Sequence, residues 1–371
     1  MPHGSTEKNR DMAFDLLRIT ACFMVVFLHV SAGNWYGIDV TSFRWKVFNF
    51  YDSLVRGSVP LFVMISGAFL LGRERGISTD LQAAETAGRS GIKEFYKTKV
   101  LRLVVVYIFW SVLYALLTCL FSGEAASPEF LKLFIQNAIN SRYHLWYIPM
   151  LIGLYILTPL LRAFCRGADK QVLQYAVGLF AAALFLNSVL QFTDLPYYEW
   201  IGKLLNKFPI DLICKFPFYF ITGYYFYRYD VSGRVRRLFY VLGAASVLVC
   251  AAASNIVSVR TGEASDTLYG FLQITSFLEA VALFIFFKNA FRGRRFSVKA
   301  AAVIAELSGC TFGIYLMHDL VMSVFREFKV ISTLDFNPVL SVPAVSVCVF
   351  ALTLAAVFPL RRIKVVSRWL M

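Results

Sequence analysis

The chain is divided by apolar runs, each close to the ~20 residues that a helix needs to cross the hydrocarbon of a bilayer. Ten such spans can be marked, near residues 14–34, 51–72, 100–121, 143–164, 172–190, 209–228, 237–256, 267–287, 304–325 and 339–360. Backbone N–H and C=O groups find no partners in lipid, so runs of this kind fold as helices that close their hydrogen bonds internally. The fold class expected is therefore all-α: a polytopic integral membrane protein with about ten transmembrane helices. Composition agrees where it bears on the solvent. Of 371 residues, 58% are hydrophobic and only 16% charged, too few to cover a water-soluble surface. Some spans are interrupted by Gly or Pro, which membrane helices tolerate when neighbours satisfy the freed backbone groups.

The net charge of +14 admits nucleic acid or the basic loops of a membrane protein, and its distribution decides. If ten spans are right, 25 of the 37 basic residues fall on the side of the termini and 11 on the other, with Arg18 inside the first span. Such alternation follows the positive-inside rule, placing both termini in the cytoplasm and removing the case for nucleic acid. The expected organisation is a cytoplasmic N-terminal segment 1–13, a transmembrane domain 14–362 and a cytoplasmic tail 363–371. The first run carries Arg18 and His29 and lacks a small-residue cleavage site, so it is expected to be retained. The charged connection 73–99 is expected to hold an amphipathic helix lying at the cytoplasmic surface. No soluble domain is expected before or after the helices. The seven cysteines are scattered without a CxxC and read as small packing residues.

A charge in the bilayer costs at least ~2.5–3.5 kcal/mol, so each one needs a reason. Arg18 and His29 are eleven residues apart. At 100° per residue this is roughly three full turns, which puts both on one helix face about 16 Å apart along the axis. That is about the reach of an extended phosphopantetheine arm. Arg18 either snorkels to the cytoplasmic surface or holds the phosphates of a coenzyme A donor. Asp15 is a potential i,i+3 partner for its guanidinium. His29 is either a packed histidine or a general base, since an imidazole can take a hydroxyl proton near neutrality. His144 and His318 fall at comparable depth, so the three can surround one cavity. No HxxxH or carboxylate–His spacing supports a metal, and none is expected.

Arg56, near the outer surface, either meets lipid headgroups or orients an acceptor. Lys99 and Arg102 open the third span, as basic anchors or as ligands of an anionic donor. Glu279, near the middle of the eighth span, pairs structurally, orients a histidine or relays a proton. Trp146 sits at an interface where aromatic residues are common anyway. Phosphate-loop and serine-hydrolase motifs are absent.

At these residues the chain resembles the acyltransferase-3 family of bacterial membrane O-acyltransferases, over about residues 12–362. The pattern Arg-x10-His is met by Arg18 and His29 in the context Phe14-Asp15-Leu16-Leu17-Arg18. Arg56 with Val59-Pro60-Leu61-Phe62 and Ser66-Gly67 resembles the family's second helix, and Lys99 to Arg102 its third-helix start. His144-Leu145-Trp146-Tyr147 is similar to its fourth-helix entry. Ser308 and Phe312-Gly313-Ile314-Tyr315-Leu316-Met317-His318 resemble a late-helix segment.

The resemblance implies transfer of an acyl group, usually acetyl, from cytoplasmic acetyl-CoA or another acyl-CoA to a hydroxyl of a cell-surface glycan or its precursor at the outer face of the bacterial cell membrane. It gives His29 the central catalytic role and Arg18 an essential one near the donor. Some members carry a fused esterase-like or racemase domain, and neither is expected here. The alternative is a transporter or channel for a small metabolite or lipid-linked substrate. That rival explains intramembrane charges, but not why Arg18 and His29 share a face, and no internal repeat supports it.

Overall fold

The computed structural model describes residues 11–72, 91–121, 128–192, 200, 202–203, 207 and 210–371, and these contain helices and no strand. Residues 73–90, where most of the expected surface helix falls, lie outside the described residues.

The order of helices is α1 Met12–Ala32, α2 Phe43–Ser53, α3 Ser58–Leu71, α4 Leu101–Phe121, α5 Phe130–Asn140, α6 Tyr147–Gly167, α7 Lys170–Val189, α8 Phe216–Arg228, α9 Gly233–Thr261, α10 Ile274–Ala290, α11 Val298–Glu327, α12 Pro338–Leu360 and α13 Lys364–Trp369. Short polar side chains start many of them. Asp11, Ser42, Asp169, Ser232, Ser297 and Asn337 each accept a hydrogen bond from a first-turn N–H.

Among the described residues, eight helical stretches are long and apolar enough to cross a membrane. The two other expected spans coincide with α8 and α10, which have 13 and 17 residues. At 1.5 Å per residue they reach about 20 and 26 Å, short of the ~30 Å of hydrocarbon. The expected span 51–72 is also broken. α2 and α3 are separated by a turn at Leu54–Gly57, and the Gly57 N–H at the start of α3 donates to Glu279 Oε2 of α10 at 2.8 Å. A carboxylate at a helix N-terminus satisfies an orphan donor and opposes the positive end of the macrodipole.

The molecule is apolar outside and polar within. Ile108 and Leu116 of α4, Leu160 of α6, Tyr175 of α7, Val241 and Leu248 of α9 and Leu352 of α12 are exposed, whereas Asp15, His144, Glu279, His318 and Asp319 are buried. Lipid is the solvent that suits this arrangement. Helix α1 lies at the centre, packed by α2, α3, α10, α11 and α12. Beside it α3 and α8 approach until backbones touch: a Cβ on Gly67 would meet the backbone of Phe220, and one on Gly223 that of Met64. Small residues at facing positions permit this contact.

Candidate active site

Because α1 is packed by five helices, most of its faces, including those that carry Asp15, Arg18 and His29, meet other helices. It runs parallel to α11, and the two stay in step. Arg18 Nη1 donates to Ser308 Oγ at 3.0 Å, Cys22 Sγ to the Thr311 carbonyl at 3.4 Å, and the rings of His29 and His318 stack at 5.1 Å.

At the Arg18 end a triangle forms. Arg18 Nη1 also donates to Asp15 Oδ1 at 3.1 Å, and Ser308 Oγ donates to the same oxygen at 2.6 Å. Asp15 is 3% exposed, while the Arg18 side chain remains 30% exposed and lies 5.8 Å from the Phe69 ring. The guanidinium is thus anchored by Asp15 and Ser308. Arg18 lines a cavity of about 360 Å³ that Lys99 and Arg102 also line. Arg102 is partly engaged, since its Nη2 donates to the carbonyls of Ser367 and Met371 in the segment that packs against α4. Most of the remaining wall is apolar, from Phe62, Ile65, Leu103, Leu151 and Phe312 among others, with Tyr147, Tyr155 and Tyr315 adding hydroxyls. From Arg18 to Val25, the last α1 residue to line it, the cavity follows about 10 Å of helix axis.

His29 lies one turn further, about 6 Å along α1. It belongs to a cluster in which His29 and His144 are 6.4 Å apart, His144 and His318 5.0 Å, and His29 and Tyr143 5.1 Å between ring centroids. His318 is fully buried, and its Nδ1 sits 2.7 Å from the Tyr315 carbonyl. A carbonyl only accepts, so Nδ1 carries the proton and Nε2 the lone pair. None of the three histidines lines the cavity. Tyr315 connects the two regions: it lines the cavity, its ring is 5.7 Å from His144 and 6.2 Å from His318, and its hydroxyl donates to the His144 carbonyl at 2.5 Å.

The sequence-derived residues thus fall into two linked groups, Asp15, Arg18, Lys99, Arg102 and Tyr315 around the cavity and His29, His144 and His318 beyond it. Others lie apart. The Arg56 side chain is only 11% exposed and turns inward rather than to headgroups, pairing with buried Asp52, donating to the Tyr269 carbonyl at 2.9 Å and lying 3.9 Å from its ring. An inward partner offsets the cost that an unpaired guanidinium carries in this setting. Glu279 orients no histidine but caps α3, and Trp146 stacks on Phe271 at 5.5 Å.

Sequence reasoning missed a buried carboxylate beside the histidines. Asp319 accepts from Arg142 Nε at 2.6 Å and from the Tyr143 hydroxyl at 2.8 Å, while being 1% exposed. The signal was present: an aspartate inside the run 304–325 needs a reason as much as Glu279 does.

No solved structure matches the chain. It is 24% identical over 356 residues to a protein of Enterococcus faecalis named amino-acid racemase, across 93% of this chain. The chain spans about half of that relative's length, 46% of it. The profile described as an acyltransferase domain matches residues 12–362, nearly the whole chain. This polytopic helical membrane protein therefore belongs to the acyltransferase-3 family.

Proposed function

We propose that the protein moves an acyl group, acetyl by preference, from cytoplasmic acyl-CoA to a hydroxyl of a cell-surface glycan or its precursor on the opposite face of the bacterial cell membrane. One observation carries this reading. A single central helix presents a cation to a narrow cavity and, one turn past its end, an imidazole in a buried cluster. A cavity of about 360 Å³ suits the thin pantetheine and acyl portions of such a donor, while its nucleotide stays at the cavity's mouth. There Arg18, Lys99 and Arg102 supply positive charge for phosphates. In this reading α8 and α10 complete ten crossings, and the basic loops hold both termini in the cytoplasm.

The proton balance needs one base. His29 takes the proton of the acceptor hydroxyl, whose oxygen attacks the thioester carbonyl. The carbon–sulfur bond breaks and the imidazolium returns the proton to the departing thiolate. If the acyl group rests first on the imidazole, one ring nitrogen bonds the acyl carbon as the carbon–sulfur bond breaks, and the other nitrogen's proton goes to the thiolate. The acceptor oxygen then displaces the acyl group from nitrogen and the imidazole takes the hydroxyl proton back, so the net balance is the same. General base catalysis is worth about 10²–10⁴-fold, so His29→Ala is expected to lower acetyl transfer from labelled acetyl-CoA by at least about a hundredfold. Purified protein in detergent suffices for the measurement, and label retained on wild type but not on the variant identifies the acylated imidazole. Equal transfer by both would remove His29 from the mechanism.

A further inference from the structure

At the histidine end of the bundle a second cavity, of about 370 Å³, opens between the last turns of α4, Arg142 at the entry to α6, and the last turns of α11. Arg142 and Arg326 both line it, and both donate from Nη2 to one hydroxyl, Ser323 Oγ, at 3.2 Å each. Asp319 offsets the charge of Arg142 through Nε, but the Nη2 groups of both arginines share one hydroxyl, and an oxyanion with several acceptor oxygens matches such converging donors better. The other charges nearby have defined places. Asp319 lies beneath, taken up by Arg142 Nε and the Tyr143 hydroxyl, and Glu327 lines the same cavity. An incoming anion therefore has to address the two arginines and stay clear of Glu327.

The position is as telling as the charge. Ser323 and Arg326 follow His318 on α11 by five and eight residues, about 8–12 Å along the axis. Tyr143, held by Asp319, has its ring 5.1 Å from His29, and Tyr114 of the cavity wall meets His144 edge-on at 5.2 Å. Tyr143 and Tyr114 thus link the surroundings of this cavity to the imidazoles.

We infer that this cavity is the acceptor subsite, and that Arg142 and Arg326 grip an oxyanion of the acceptor, a phosphate or a carboxylate, so that a hydroxyl some 8–12 Å away meets His29. The inference rests on the acyl-transfer reading and adds to it the chemical class of the acceptor. Guanidinium forks match both oxyanions, so the test has to separate them.

Equilibrium binding of glucose 1-phosphate, glucuronate and glucose to the full chain in phosphatidylcholine nanodiscs does so. One of the charged sugars is expected to bind at least about tenfold more tightly than glucose, and Arg326→Gln and Arg142→Gln each to remove most of that margin. Arg326 is exposed, so its variant folds even if loss of the Asp319 partner unsettles the other. Acetyl-CoA binding by the same samples reports on folding. Equal affinity for all three sugars, or an undiminished margin in Arg326→Gln, overturns the inference. So does loss of the charged-sugar preference when phosphatidylglycerol is added, which gives the arginines to a lipid headgroup. Should wild type show the preference yet fail to bind acetyl-CoA, the donor reading falls and the anion site stands.

Discussion

Arg18 is useful only if its direction is fixed, and two groups fix it. Asp15 and Ser308 anchor the guanidinium, and the residue lines the cavity. Charge-assisted hydrogen bonds of this kind contribute about 1.5–3 kcal/mol. Asp15→Asn keeps the shape and removes the charge, so it is expected to raise the KM for acetyl-CoA by about tenfold, with a smaller change in kcat. Steady-state kinetics with varied acetyl-CoA check this, and an unchanged KM would detach Asp15 from donor binding. The Asp15–Arg18 pair was legible in the sequence because i,i+3 neighbours meet on any helix. Tyr143, Arg142 and Asp319 were not assembled, because their meeting joins residues 176 and 177 positions apart through packing that no local pattern encodes.

Among the elements, α3 and α8 form the tightest contact. Gly67 and Gly223 leave no room for a methyl group between the two backbones. Overpacking typically costs about 1–3 kcal/mol, and this clash is with main chain that cannot step aside. Gly67→Ala is expected to lower the thermal unfolding midpoint in detergent by several degrees, whereas Gly178→Ala, inside α7 with nothing for its Cβ to meet, leaves it unlowered or raises it slightly. Equal behaviour of the two variants would contradict the backbone contact. Ser66-Gly67 was noticed only through the family pattern, since hydropathy treats glycine as one more small residue. The break between α2 and α3 escaped for a related reason. Its cap, Glu279, comes from 222 positions downstream, while the run from Tyr51 to Gly72 reads as one span.

For the molecule as a whole, hydrophobic run length was enough to reach an all-helical membrane fold, because apolar runs of ~20 residues close their backbone hydrogen bonds within lipid as helices. It overestimated the length of α8 and α10, which are bracketed by other helices and have no need to span the hydrocarbon as straight, continuous rods. Charges at the ends of the bundle matter less to stability than burial does. At the corner between α8 and α9, Arg292 and Lys288 bond to Asp230 at 2.6 and 2.9 Å and pull its carboxyl down to about 2. A depressed carboxyl adds stability above its ordinary range near 4, and that contribution is lost as pH falls towards 2. The carboxylate is half exposed, so the pair is worth less than about 1 kcal/mol. Asp230→Asn is expected to shift the unfolding midpoint only slightly at pH 7 and by still less at pH 2, where the carboxyl is about half protonated. A difference that persists in strong acid would assign the residue another role.

Tyr315 has one consequence beyond chemistry. A cell stores work as an electrochemical gradient, and any continuous water-filled tube through its envelope would short-circuit that store. On the acyl-transfer reading, Tyr315, which lines the Arg18 cavity and meets the rings of His144 and His318, lets an acyl group be handed across while ions meet electrical insulation. A catalyst that works as proposed would then perform export without ever opening a hole.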